Sequence, residues 1–154
     1  MKVVRRGYEL SVYDDEVKKL HARGIHVITH LILGLPGESS EMIRQTAEYI
    51  GKSGADGIKF QLLHVLKGTD LEKDYVSQKF ELLTLPQYVE LLERCVESIP
   101  PEMVVHRLTG DGAKSNLIAP LWSTDKKHVL NTIRQAFDRD HVIQGSRVGI
   151  HLTE

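Results

Sequence analysis

Residues 24–38 read Gly24-Ile25-His26-Val27-Ile28-Thr29-His30-Leu31-Ile32-Leu33-Gly34-Leu35-Pro36-Gly37-Glu38. The run from Ile25 to Leu35 is apolar or β-branched with few breaks. That is the pattern of a strand buried on both faces, and such strands sit in parallel sheets covered by helices. Pro36-Gly37 ends the strand. Ser39 is placed to cap a following helix whose apolar face is Ile43, Thr46, Ala47 and Ile50, with Gly51 or Gly54 as its stop.

On the amino-terminal side, Leu10, Tyr13, Val17 and Leu20 recur at helical spacing. A helix is therefore expected to about Arg23, with Ser11 and Asp14 as a capping start and Gly24 as a left-handed stop. On the other side, Gly57 to Val65 is a second strand. Helix, strand, helix, strand with short connections is the grammar of right-handed βαβ units and of an α/β fold.

Periodicity is lost between Leu66 and Leu85, an excursion expected to hold one turn of helix and a short edge strand. Pro86 opens a third helix with Tyr88, Leu91, Leu92, Cys95 and Ile99 on one face, so Cys95 reads as a small buried hydrophobe. Pro100-Pro101 ends it. Met103 to Leu108 is a third strand that leads into Thr109-Gly110-Asp111-Gly112. Asn116 to Trp122 is irregular, and Val129, Leu130, Ile133, Ala136 and Phe137 mark a last helix from about Thr124 to Asp138. For Asp140 to Glu154, an added strand and disorder both stay open.

The 154 residues make about one domain, and 41% hydrophobic with 27% charged residues suits a folded, globular chain. With 20 Lys+Arg against 21 Asp+Glu, the formal charge of -1 argues against a general nucleic-acid binder. No apolar run approaches the ~20 residues that span a bilayer, and no signal segment opens the chain, so a cytoplasmic location is expected. Cys95 is the one cysteine, which excludes an intrachain disulfide and also the three or four thiolates of an iron–sulfur cluster.

In parallel α/β sheets ligands gather beyond the carboxyl ends of the strands. Three segments qualify: Gly34 to Glu38, Leu66-Lys67-Gly68-Thr69, and Thr109 to Gly112. Gly34 and Gly37 would let backbone approach a flat ligand or anion, and the helix start at Ser39 would add donors. Neither a Walker ending nor a dinucleotide GxGxxG is present. His26 and His30 would face one side of a strand about 13 Å apart, too far for one metal. His64 and His106 fall at or near strand ends, but no carboxylate or thiol completes a ligand set, so no metal site is expected. Arg107 and Asp111 bracket a strand end, as a salt bridge or as substrate contacts.

The stretch from Gly24 to Glu38 resembles the fifth strand and following turn of radical S-adenosylmethionine enzymes. Leu62-Leu63-His64-Val65-Leu66-Lys67-Gly68-Thr69-Asp70-Leu71 is similar to their sixth strand and its Gly-Thr exit, and Arg6-Gly7-Tyr8 resembles the exit from the fourth. Gln78-Lys79-Phe80, His106 to Asp111 and Ile118 to Trp122 look like the YhcC/YtqA-like branch, related to the Elp3 group. The matches cover about residues 3 to 139.

The resemblance implies a partial parallel (β/α) barrel over residues 1–139, the C-terminal half of a radical SAM (β/α)6 core with a helical extension, followed by a tail over 140–154. It implies S-adenosylmethionine and a 4Fe-4S cluster in the complete family protein. The family's cysteine loop precedes the fourth strand and has no counterpart here, so the chain is expected to be a truncated piece, inactive alone, that carries the adenosine side of the site. On the same ground Arg6, Leu33, Gly34, Leu63 and Val65 are the cofactor-binding candidates, while His64, Lys67, Arg107 and Asp111 are candidates for the substrate side. Glu38 receives no ligand role, because Gly37 occupies the place of the family's acidic residue. The expected partners are the cysteine-bearing half or a second copy, paired through an exposed sheet edge. The alternative is a non-catalytic interaction module that uses that same edge.

Overall fold

Residues 9–110 and 115–149 are described by a computed structural model. The elements run α1 (Leu10–His21), β1 (Ile28–Leu33), α2 (Ser40–Lys52), β2 (Gly57–Leu62), β3 (Val65–Leu66), α3 (Asp70–Val76), α4 (Leu85–Glu97), β4 (Val104–Arg107), β5 (Leu117–Ala119), a 3-10 turn (Leu121–Thr124) and α5 (Lys126–Arg139). The central sheet is parallel in the order β1-β2-β4, and β3 and β5 form a separate antiparallel pair. This is the α/β architecture expected from the sequence.

Local chemistry sets the helix ends. Ser39 caps α2 by accepting the Met42 N–H at 3.2 Å, and Ser53 closes it just ahead of Gly54 at φ +86°. Thr84 and Gln87 make a reciprocal capping box at the start of α4, with Pro86 in its first turn. At α1 the expected Ser11 cap is not used: Glu9 holds the cap position without a side-chain bond, because the helix already begins at Leu10.

The two buried stripes meet the sheet on one side only. Ile43, Ala47 and Ile50 of α2 and Tyr88, Leu91, Leu92, Cys95 and Val96 of α4 pack with Leu31 and Leu33 of β1 and Ile58, Phe60 and Leu62 of β2. In the register of the pair, Leu31 lies beside Phe60 and Leu33 beside Leu62, so these residues share a face. Val129, Ile133 and Ala136 of α5 complete the same core.

This corrects the expectation of a strand buried on both faces. Ile28, His30 and Ile32 alternate with the buried residues and are exposed, and no described element covers them. β1 is also an edge strand, bonded to β2 alone among the described residues. An apolar run without alternation marks a strand that two layers can cover, but only the second layer can bury it.

Two further differences follow from strand pairing. The expected strand from Gly57 to Val65 is broken after Leu62, where the Leu63 N–H ends the parallel ladder on the Leu33 carbonyl at 3.1 Å. The chain then turns, and Val65 and Leu66 pair antiparallel with Ala119 and Leu117, inside a segment expected to be irregular. In the tail, residues 140–149 form turns held on the end of α4: Gly145 N–H reaches the Val96 carbonyl and Arg147 N–H the Glu97 carbonyl, while the Arg147 guanidinium pairs with Glu97 at 2.7 Å. Among the described residues no helix is long and apolar enough to cross a membrane.

Candidate functional site

Parallel strands deliver their following loops to one rim, and here that rim is built by the ends of β1 and β2. The Leu63 N–H to Leu33 carbonyl bond locks these ends together, so Leu33, Gly34 and Leu63 are brought close, while Val65 turns away to pair with Ala119. Their side chains are not what the rim offers. Leu33 and Val65 are fully buried, main chain included, and Leu63 is 8% exposed, so among these four positions Gly34 alone presents appreciable surface.

Gly34 takes φ +86°, a conformation that disfavours a side chain, and a Cβ there would stand 2.8 Å from Leu83 Cδ1. Leu83 thus roofs the glycine from the segment that leads into α4. The same leucine lines a groove of about 1090 Å³ with Tyr75, Phe80, Leu121 and Trp122. The Trp122 indole N–H donates to the Leu83 carbonyl at 3.1 Å and holds this wall against the rim.

Glu38 lies just past Gly37, half-buried, and burial raises its carboxyl above the usual carboxylate range. One of its oxygens is enclosed without a hydrogen-bond partner. Of the substrate-side candidates, His64 is half-buried beyond the end of β2, and Lys67 is exposed, its N–H bonded to the Asn116 carbonyl at 2.8 Å. Arg107 is exposed at the end of β4. Arg6 and Asp111 lie outside the described residues.

The histidines do not assemble. His106 packs on Gly57, its ring 2.8 Å from where a Cβ would be, whereas His64 follows the opposite end of β2. Roughly 20 Å of strand separates those two places at about 3.3 Å per residue. His26 precedes β1 rather than lying within it, so it does not share a strand face with His30. Its Nδ1 sits 3.2 Å from Asp56 Oδ1, while Asp56 Oδ2 meets the Val27 N–H and His21 Nε2, each at 2.7 Å. The Val27 N–H and the two imidazoles hold the Asp56 carboxyl far below its ordinary range. This knot ties α1 to the amino ends of the strands, away from the rim.

Among the described residues no group of three or more His, Cys, Asp or Glu could hold a metal ion. Cys95 is enclosed in α4, and burial pushes its thiol up to about 12, so it is no thiolate ligand at neutral pH.

A feature the sequence pattern did not single out lies on the uncovered sheet face. Lys59 has His30 as its register partner in β1 and Arg107 in β4. The signal was present as polar residues inside strands expected to be buried, but only the register aligns them.

The Radical_SAM C-terminal domain model matches residues 55–139, from just before β2 through α5. The chain is 41% identical to YtqA of Bacillus subtilis (strain 168) over 143 residues, which is 93% of this chain and 44% of that protein. It is 30% identical to YhcC of Escherichia coli (strain K12) over 146 residues, 95% of this chain and 47% of that one. The chain therefore spans about half the length of the curated relatives it matches. The structure of the archaeal Methanocaldococcus infernus Elp3 with an N-terminal deletion superposes with a TM-score of 0.76 at 17% identity, over 91% of this chain and 33% of that one. At that identity the likeness is one of fold.

Proposed function

The chain belongs to the radical SAM C-terminal domain family, and from that premise we propose that it forms the adenosine-facing and substrate-facing side of a radical S-adenosylmethionine enzyme's barrel. The family relationship implies S-adenosylmethionine and a 4Fe-4S cluster in full-length members. The cluster does not fit this chain, whose single cysteine is buried and protonated, so no step is assigned to it here. The adenosine end fits at Gly34, where the rim presents partly exposed main chain without a side chain, which suits a flat, uncharged group.

In this proposal the main chain at Gly34 lies against the adenine, with Leu33, Leu63 and Val65 packed behind it as its support. Leu83 and the α4 layer behind it exclude water from that edge, while His64, Lys67 and Arg107 stand on the substrate side. The observation that carries the reading is the Leu63 to Leu33 bond, which joins the two strand ends into one rim above an uncovered face. The partner is the cysteine-bearing part of the enzyme, docked on the free edge of β1 and over Ile28, Ile32 and Val104, which are 37%, 39% and 55% exposed. When that part is not supplied, the same edge pairs with a second copy.

Calorimetric titration with S-adenosylmethionine tests the reading. The chain alone should give no measurable binding, because the cluster that would anchor the methionine end needs thiolates that its single cysteine cannot supply. The assembly with the cysteine-bearing part of a full-length family member, its cluster reconstituted, should bind in the micromolar range. Micromolar binding by the chain alone, or no binding by a formed assembly, refutes the proposal.

A further inference from the structure

Among the described residues, the strands of the parallel sheet contain no Asp or Glu. They contain Lys59, Arg107, His30 and His106, although the chain as a whole carries slightly more acid than base. His30, Lys59 and Arg107 are register neighbours across β1, β2 and β4. At about 4.8 Å between strands, the row crosses the sheet in about 10 Å. His106 is displaced into the bulge beside it and rests on Gly57, whose missing side chain makes room for the ring.

None of the ion pairs among the described residues involves these four groups. The pairs lie on helix surfaces, at the Asp56 knot and on the segments that flank the helices. Ile28 and Ile32 flank His30 on the same face, and Gln61 follows Lys59 along β2, packed under Gly110. The face therefore combines a basic row with apolar and amide neighbours. Covering such a row without a counter-charge is costly, since a desolvated cation needs a paired anion.

We propose that the uncovered face holds an oxyanion group of the substrate, a phosphate ester or a carboxylate, on the row His30, Lys59 and Arg107. This rests on the reading above only in taking the face as the interior of the completed site. The anion titration is scored without adenosine, so either statement can fail while the other stands.

Inorganic pyrophosphate and malonate, titrated separately into the 154-residue chain, are followed by amide chemical shifts. Both should perturb residues 28–32, 57–61 and 104–107, and the tighter of the two assigns the oxyanion as phosphate or carboxylate. Lys59→Met should weaken binding at least about threefold, as removal of one charge-assisted partner requires. Lys52→Met, on the outer helix layer, should leave it unchanged. Shifts scattered over the surface, or equal effects of the two substitutions, overturn the inference. So does loss of anion binding once the cysteine-bearing part is docked, which would show carboxylates of that part paired with the row.

Discussion

Replacing Gly34 by Ala separates two reasons for a glycine at the rim. The backbone at φ +86° disfavours any side chain, and the added Cβ would stand 2.8 Å from Leu83 Cδ1 and 3.0 Å from Leu83 Cγ. An L-residue held at positive φ costs about 1–2 kcal/mol. Because the clash is with the end of a leucine side chain that can turn, the steric part should add only about 0.5–1 kcal/mol. Gly34→Ala is thus expected to destabilise by about 1.5–3 kcal/mol, a fall of roughly 3–12 °C in Tm for a chain of this size. Urea and thermal unfolding followed by circular dichroism measure it. The decisive comparison is a double-mutant cycle with Leu83→Ala, in which the steric part disappears and the strain remains. The pair should be less destabilising than the sum of the singles by about 0.5–1 kcal/mol. Strict additivity would refute the claim that Leu83 roofs the glycine. A Gly34→Ala chain as stable as the parent would refute the strain argument as well.

Thr84→Ala removes the side-chain half of the capping box at α4, the bond from the Gln87 N–H, and leaves the Thr84 N–H on Gln87 Oε1; it should cost about 1 kcal/mol in urea unfolding, whereas Thr84→Ser should restore most of it. Tyr88→Phe removes the hydroxyl that donates to the Leu108 carbonyl at 2.8 Å inside the core. The loss should be about 1–2 kcal/mol, with faster amide exchange at Leu108 and Thr109. Cys95, with its thiol pushed up to about 12, should resist iodoacetamide at pH 8 in the folded chain and react once the chain is denatured. Asp56 has a folded pKa below its unfolded value of about 3.9, so its contribution is complete above that value and is lost as pH falls below it. Asp56→Asn should therefore lower stability at pH 7 and flatten its decline in acid, and a parallel acid limb in the two proteins would count against the knot.

The alternation of helix and strand, the cap at Ser39, the helix start at Pro86, a stop at Gly51 or Gly54 and the apolar stripe through Tyr88, Leu92 and Cys95 were all legible in the sequence, because each depends on residues within a few positions of one another. The motif segments at Gly34 and Gly68 were legible for the same reason. Pairing was not. That Val65 leaves β2 for Ala119, that no described element covers one face of β1, and that His106 lies far from His64 depend on which strand sits beside which. A one-dimensional pattern records which residues are apolar but not which layer comes to cover them. The basic row across β1, β2 and β4 is the clearest case: His30, Lys59 and Arg107 are 29 and 48 residues apart in the chain, and only parallel register makes them neighbours.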